Sequence, residues 1–115
     1  MEVAFQGAVP GRRTPIFVLW GTTDGRFQAS PCGGASKKQI ERLKKDVAFA
    51  VRTGKNEWTC EWRIPLDKLD IRIKPGNILR FNLGVRCKAA GKWLSWAPTG
   101  GPNWQVDRAG TLVFK

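Results

Sequence analysis

The plainest pattern in the chain is strict two-residue alternation. From Glu57 to Pro65, Trp58, Cys60, Trp62 and Ile64 alternate with Glu57, Thr59, Glu61 and Arg63. A strand puts successive side chains on opposite faces, so this run predicts one face on a core and one on water. Pro65, lacking a backbone donor for a ladder, ends it. Asn77 to Lys88 repeats the pattern, with Leu79, Phe81, Leu83, Val85 and Cys87 on one face and Arg80, Asn82, Gly84, Arg86 and Lys88 on the other. Pro15 to Trp20 is almost continuously apolar before Gly21 and suits a strand covered on both faces. Val47, Phe49 and Val51, alternating with Ala48, Ala50 and Arg52, supply another strand before the turn Gly54-Lys55-Asn56, and shorter candidates lie at Arg26–Ala29, Ile71–Ile73, Lys92–Trp96 and Thr111–Phe114. Ser36 to Lys45 reads as the one helix, because Ser36 and Gln39 have capping-box spacing and Ile40, Leu43 and Val47 share a face. Leu66–Leu69 adds a single turn. About eight short strands and one short helix predict an all-β, antiparallel β-sandwich of jelly-roll-like kind.

Composition narrows this without changing it. A length of 115 residues fits one domain spanning 1–115, and 13 Gly with 7 Pro suit many turns. The formal net charge of +11 makes an anionic partner a candidate. Its densest basic run (Lys37, Lys38, Arg42, Lys44, Lys45) is interrupted by Glu41, as expected of a solvated helix face. Three cysteines, Cys32, Cys60 and Cys87, have no zinc-binding spacing, and Cys60 and Cys87 fall on apolar strand faces where a free thiol packs as a small hydrophobe. The opening Met1–Gln6 has no basic leader followed by an apolar stretch, and no apolar run reaches the ~18 residues of a membrane span, so no membrane partner is expected. An extracellular location would follow only from membership of a longer secreted protein.

Catalytic chemistry finds little to work with. There is no His and no Tyr, which removes the commonest general base and every triad built on it. Glu57 and Glu61 share a strand face, but four residues along a strand is roughly 13 Å, beyond the ~5–9.5 Å that paired carboxylates need for glycoside hydrolysis. They are expected instead to pair across strands with Arg80 or Arg86. No enzyme is predicted. The concentrated feature is tryptophan: six residues, with Trp93, Trp96 and Trp104 in a segment rich in Gly, Pro, Ser and Asn. Alternation puts Trp93 and Trp96 on opposite faces, one expected in the core and one outward, while Trp104 sits in loop composition. An exposed indole is a flat apolar plate on which the C–H face of a pyranose stacks, with Arg and Asn forking to its hydroxyls.

Five elements together resemble the carboxy-terminal part of family 9 carbohydrate-binding modules and their DOMON-like relatives: Glu2-Val3-Ala4-Phe5; Trp58 through Leu66 leading to Leu69; Gly76 before Phe81-Asn82-Leu83-Gly84-Val85; Trp93 and Trp96; and the closing Gly110-Thr111-Leu112-Val113-Phe114. The resemblance implies a sandwich that holds sugar between tryptophans without catalysis. It matches Trp96 or Trp104 to the late aromatic, and places Arg80, Asn82 and Arg86 on a strand whose polar face lines the cleft. The chain lacks the family's amino-terminal strands and is more basic. No cofactor is expected, since its few carboxylates count against the family's structural calcium.

Non-catalytic binding of a poly- or oligosaccharide is thus the leading expectation, with Trp93, Trp96, Trp104, Arg80, Asn82 and Arg86 as site residues. The charge makes an acidic polysaccharide a candidate within that class. Single-stranded nucleic acid, stacked in a basic aromatic groove, ranks second. Because strands expected ahead of Glu2-Val3-Ala4-Phe5 are missing, and Ile16–Trp20 carries no charge or internal proline to block a free edge, pairing with a second copy about a two-fold axis is expected. Light scattering during gel filtration should give a homodimer mass, and a monomer persisting above ~100 μM would exclude it.

Overall fold

The computed structural model describes residues 1–115. Along the chain run β1 (Glu2–Gly7), β2 (Phe17–Gly21), β3 (Phe27–Ser30), α1 (Lys37–Asp46), β4 (Ala48–Thr53), β5 (Trp58–Arg63), β6 (Ile78–Cys87), β7 (Lys92–Ser95) and β8 (Gly110–Val113). All named strand pairs are antiparallel. Six strands form one sheet in the order β3-β2-β1-β6-β7, with β8 also on β6, and β4 and β5 form a separate hairpin. The fold is all-β and sandwich-like, with unequal layers. β6 is long enough to seat β1 along Leu79–Gly84 while β8 and β7 take successive stretches of its ladder.

The alternation seen in the sequence becomes two covered faces. On the first, Val3, Phe5, Phe17, Leu19 and Leu79 form the main core with Ile40 and Leu43 of α1 and with Leu69 and Ile71. The helix begins where its capping box allows: the Ser36 hydroxyl accepts from the Gln39 amide at 3.3 Å, and the Gln39 side chain accepts from the Ser36 amide at 2.9 Å. Its lysines and Arg42 face solvent, as a solvated basic face should. The hairpin closes the β2–β3 end of the same face, where the Trp62 ring lies 4.1 Å from that of Phe49 and 5.7 Å from that of Phe27. Gly21 lies directly beneath, and a Cβ there would come within 2.5 Å of Phe49. On the second face, Ala4 and Val18 are sealed by Val106, with Ile16, Trp104 and Ala109 around them. A segment without strand structure, residues 96–109, supplies most of that cover.

Four expectations are corrected. Ile71–Ile73 is not a strand: Asp70 takes a left-handed conformation (φ 61°) after the Leu66–Leu69 turn, and Ile71 then drops into the core under Gly7. Glu57 and Glu61 do not pair with Arg80 or Arg86, because β5 and β6 lie in different sheets. Neither β1 nor β2 is a free edge, since each has a strand on both sides. Of Trp93 and Trp96, neither is core; they are 50% and 53% exposed on opposite faces of β7. Cys32, Cys60 and Cys87 are all free, and burial pushes the Cys60 thiol up, away from its reactive thiolate form. No helix is long and apolar enough to cross a membrane.

Replacing Trp62 by Ala should remove the ring that joins hairpin to sheet and cost roughly 3–5 kcal/mol, read as a shift of the urea midpoint at unchanged slope.

Candidate functional site

Register assigns the second face residue by residue. Trp20, Glu2 and Gly84 stand opposite one another across β2, β1 and β6, with Gln28 beyond on β3 and Ser95 beyond on β7. One step along β6, Arg86 stands opposite Trp93. Trp20 (42% exposed) and Trp93 (50% exposed) therefore flank one strip of the sheet. Three strand spacings and a two-residue offset put their Cα atoms roughly 16 Å apart.

The middle of the strip is built on a buried charge. Glu2 is only 5% exposed, and its carboxylate accepts from the Trp20 indole N–H at 2.6 Å and from the Asn103 amide at 3.0 Å. A buried carboxylate is costly unless donors satisfy it, so Glu2 fixes both neighbours, orienting the Trp20 ring and holding Asn103 across the sheet. Asn103 lies so close over Gly84 that a Cβ there would meet its side chain at 2.7 Å.

Asn82 has a different place from the one expected. It is fully buried, and its amide is spent on the chain: Nδ2 donates to the carbonyls of Ala97 (2.9 Å) and Asn103 (3.0 Å), while Oδ1 accepts from the Ala97 amide (3.1 Å). It cannot contact a ligand, and instead clamps residues 97–103 to the sheet. Thr99 tightens the same loop by donating to the carbonyls of Gly101 and Pro102. Trp96 is displaced as well: it lies on the first face, edge-on to Phe81 at 5.7 Å and over Gly110. The remaining residues divide between two places. Arg86 and Trp93 belong to the strip. Arg80 and Trp104 line a cleft of about 810 Å³ farther along the same face. Trp104 is also partly buried against the Ala4–Val18–Val106 cluster, so it is less free than loop composition suggested.

Trp20 is the binding candidate that sequence reasoning missed. Its neighbours Phe17, Val18 and Leu19 are fully covered, and the apolar run concealed that its last ring escapes. The available signal was Glu2 itself, a carboxylate opening an otherwise apolar strand and needing donors. No group of three or more Cys, Asp or Glu gathers as the ligands of a metal ion would. Comparison of the chain with family models, curated proteins and solved structures finds no match.

Asn82→Ala should leave several buried backbone groups without partners. A loss of about 3 kcal/mol or more is expected at ~1–3 kcal/mol per orphaned group, measured by denaturant titration together with a red shift of tryptophan emission as residues 97–104 come loose.

Proposed function

We propose that this protein is a non-catalytic carbohydrate-binding domain that seats an oligosaccharide across the strip between Trp20 and Trp93. The observation carrying this reading is the pair of half-exposed indoles on one rigid sheet face, with polar groups between and beside them. Such rings lose little freedom on binding because strand backbones already hold them, and Trp20 is further held by Glu2. Their separation suits a ligand several sugar units long rather than a monosaccharide. Arg86, Gln28 and Ser95 are exposed around the plates and offer donors and acceptors for ring hydroxyls. The first face offers no equivalent, since the exposed Leu94 and Trp96 there have apolar neighbours in Val85 and Phe81.

Titrating tryptophan emission with neutral and acidic hexasaccharides should give saturable shifts. Trp93→Ala should weaken binding about tenfold or more, as for a central aromatic contact, at unchanged melting temperature, because Trp93 caps no core cluster. Trp96→Ala, on the opposite face, should leave affinity intact. A flat response across the whole sugar panel overturns the reading. Tight binding of a single-stranded oligonucleotide that collapses between low and high salt would replace it with nucleic-acid recognition.

A further inference from the structure

The cleft that holds Arg80 and Trp104 is separate from the strip. It is lined by Arg12 and Arg13 from the loop between β1 and β2, by Arg108 from the segment after Trp104, and by Arg80 from β6. Four arginines thus line one concavity with a single acidic residue, Asp107. None of the four is in a salt bridge. Arg80 alone has a side-chain partner, donating to Gln6 Oε1 at 3.4 Å, while Gln6 in turn donates to the Thr14 carbonyl at 2.7 Å. The fork of Arg80 is therefore steadied from beneath by a residue tied to the loop, with donors left over.

Unpaired like charges lining one concavity repel one another, and an anion bound among them relieves that repulsion. The shape of the anion follows from the groups present. A guanidinium presents parallel N–H donors that match the two oxygens of a carboxylate. Trp104 supplies one apolar plate, and the Gln105 amide supplies hydroxyl-matching polarity. A nucleic-acid groove would need a succession of stacking rings along a backbone track, whereas this cleft has one indole.

We infer that the cleft binds the carboxylate of an acidic sugar, so that the preferred ligand is an oligosaccharide containing uronic acid. The inference rests on the carbohydrate reading for the sugar and on the cleft for the charge.

Calorimetric titration with a tetramer of galacturonic acid, with its fully methyl-esterified form, and with a single-stranded oligonucleotide of similar charge tests it. The free acid should bind about tenfold or more tighter than the ester, as expected when charge-assisted forks are lost. Arg80→Ala with Arg108→Ala should abolish that preference. Lys37→Ala with Lys38→Ala, which removes the same charge from the solvated helix face, should preserve it. Arg80→Lys with Arg108→Lys keeps the charge but not the fork, and should lose most of the preference even if the alanine pair folds poorly. Equal affinity for acid and ester overturns the inference while leaving the carbohydrate reading standing. Equal losses from the arginine and lysine pairs also overturn it, as diffuse electrostatics. An oligonucleotide that binds tighter than the free acid overturns both, and so does silence toward both tetramers accompanied by a flat response to the neutral sugars.

Discussion

One side chain, the amide of Asn82, holds the second face of this protein together. It stands on the central strand β6 with no solvent exposure, and bonds three backbone groups of a segment that has no strand or helix of its own to satisfy them. Without those bonds residues 97–103 would carry unpaired polar groups against an apolar sheet, which a folded chain does not tolerate. With them, the loop lies flat, Val106 seals Ala4 and Val18, and Asn103 reaches Glu2. Glu2 then orients Trp20. Trp20 at one end of the face is tied to this clamp through Glu2 and Asn103, and Trp104 at the other follows directly on the clamped Asn103.

The division of the sheet into two faces follows from the same arrangement. The first is covered by helix and hairpin, which bring continuous apolar surface: Ile40, Leu43 and Trp62. The second is covered by a loop, which brings polar backbone and therefore demands polar partners from the strand beneath. Asn82 answers that demand, and Gly84 leaves room for Asn103. Exposed side chains remain where the loop stops, with Trp20, Trp93 and Arg86 beyond one margin and Arg80 beyond the other.

Much of this was readable from residue order alone. Strand periodicity located β4, β5, β6 and β7 to within two residues, and the Ser36–Gln39 pair marked the helix start, because both signals are local. Which strands pair is not a local property. Glu57 and Glu61 looked like partners for Arg80 and Arg86, but the sheet that would join them does not exist. Asn82 looked solvent-facing because every second residue of its strand is polar, and nothing in that strand announces the loop that covers it. Trp93 and Trp96 were correctly separated by alternation, yet the expectation that one would be core failed because β7 lies at the margin of the sheet, where neither face is roofed. The Arg80 cleft was out of reach for another reason: Arg12, Arg13 and Arg108 come from loops that bear no periodic signal.

The pairing of β1 with β6 also governs how the chain can reach this state. Glu2 sits opposite Gly84, so the middle of the sheet is a contact between the first strand and one met only after most of the chain has been laid down. Closing so large a loop costs entropy before any ladder bond repays it, and topologies dominated by such distant contacts fold slowly. The β4–β5 hairpin has its partners side by side in sequence and can assemble early. The Asn82 clamp, by contrast, presupposes that β6 is already seated. The strip between Trp20 and Trp93 and the Arg80 cleft both span strands joined by this long-range pairing, so neither is complete before β6 is seated on β1.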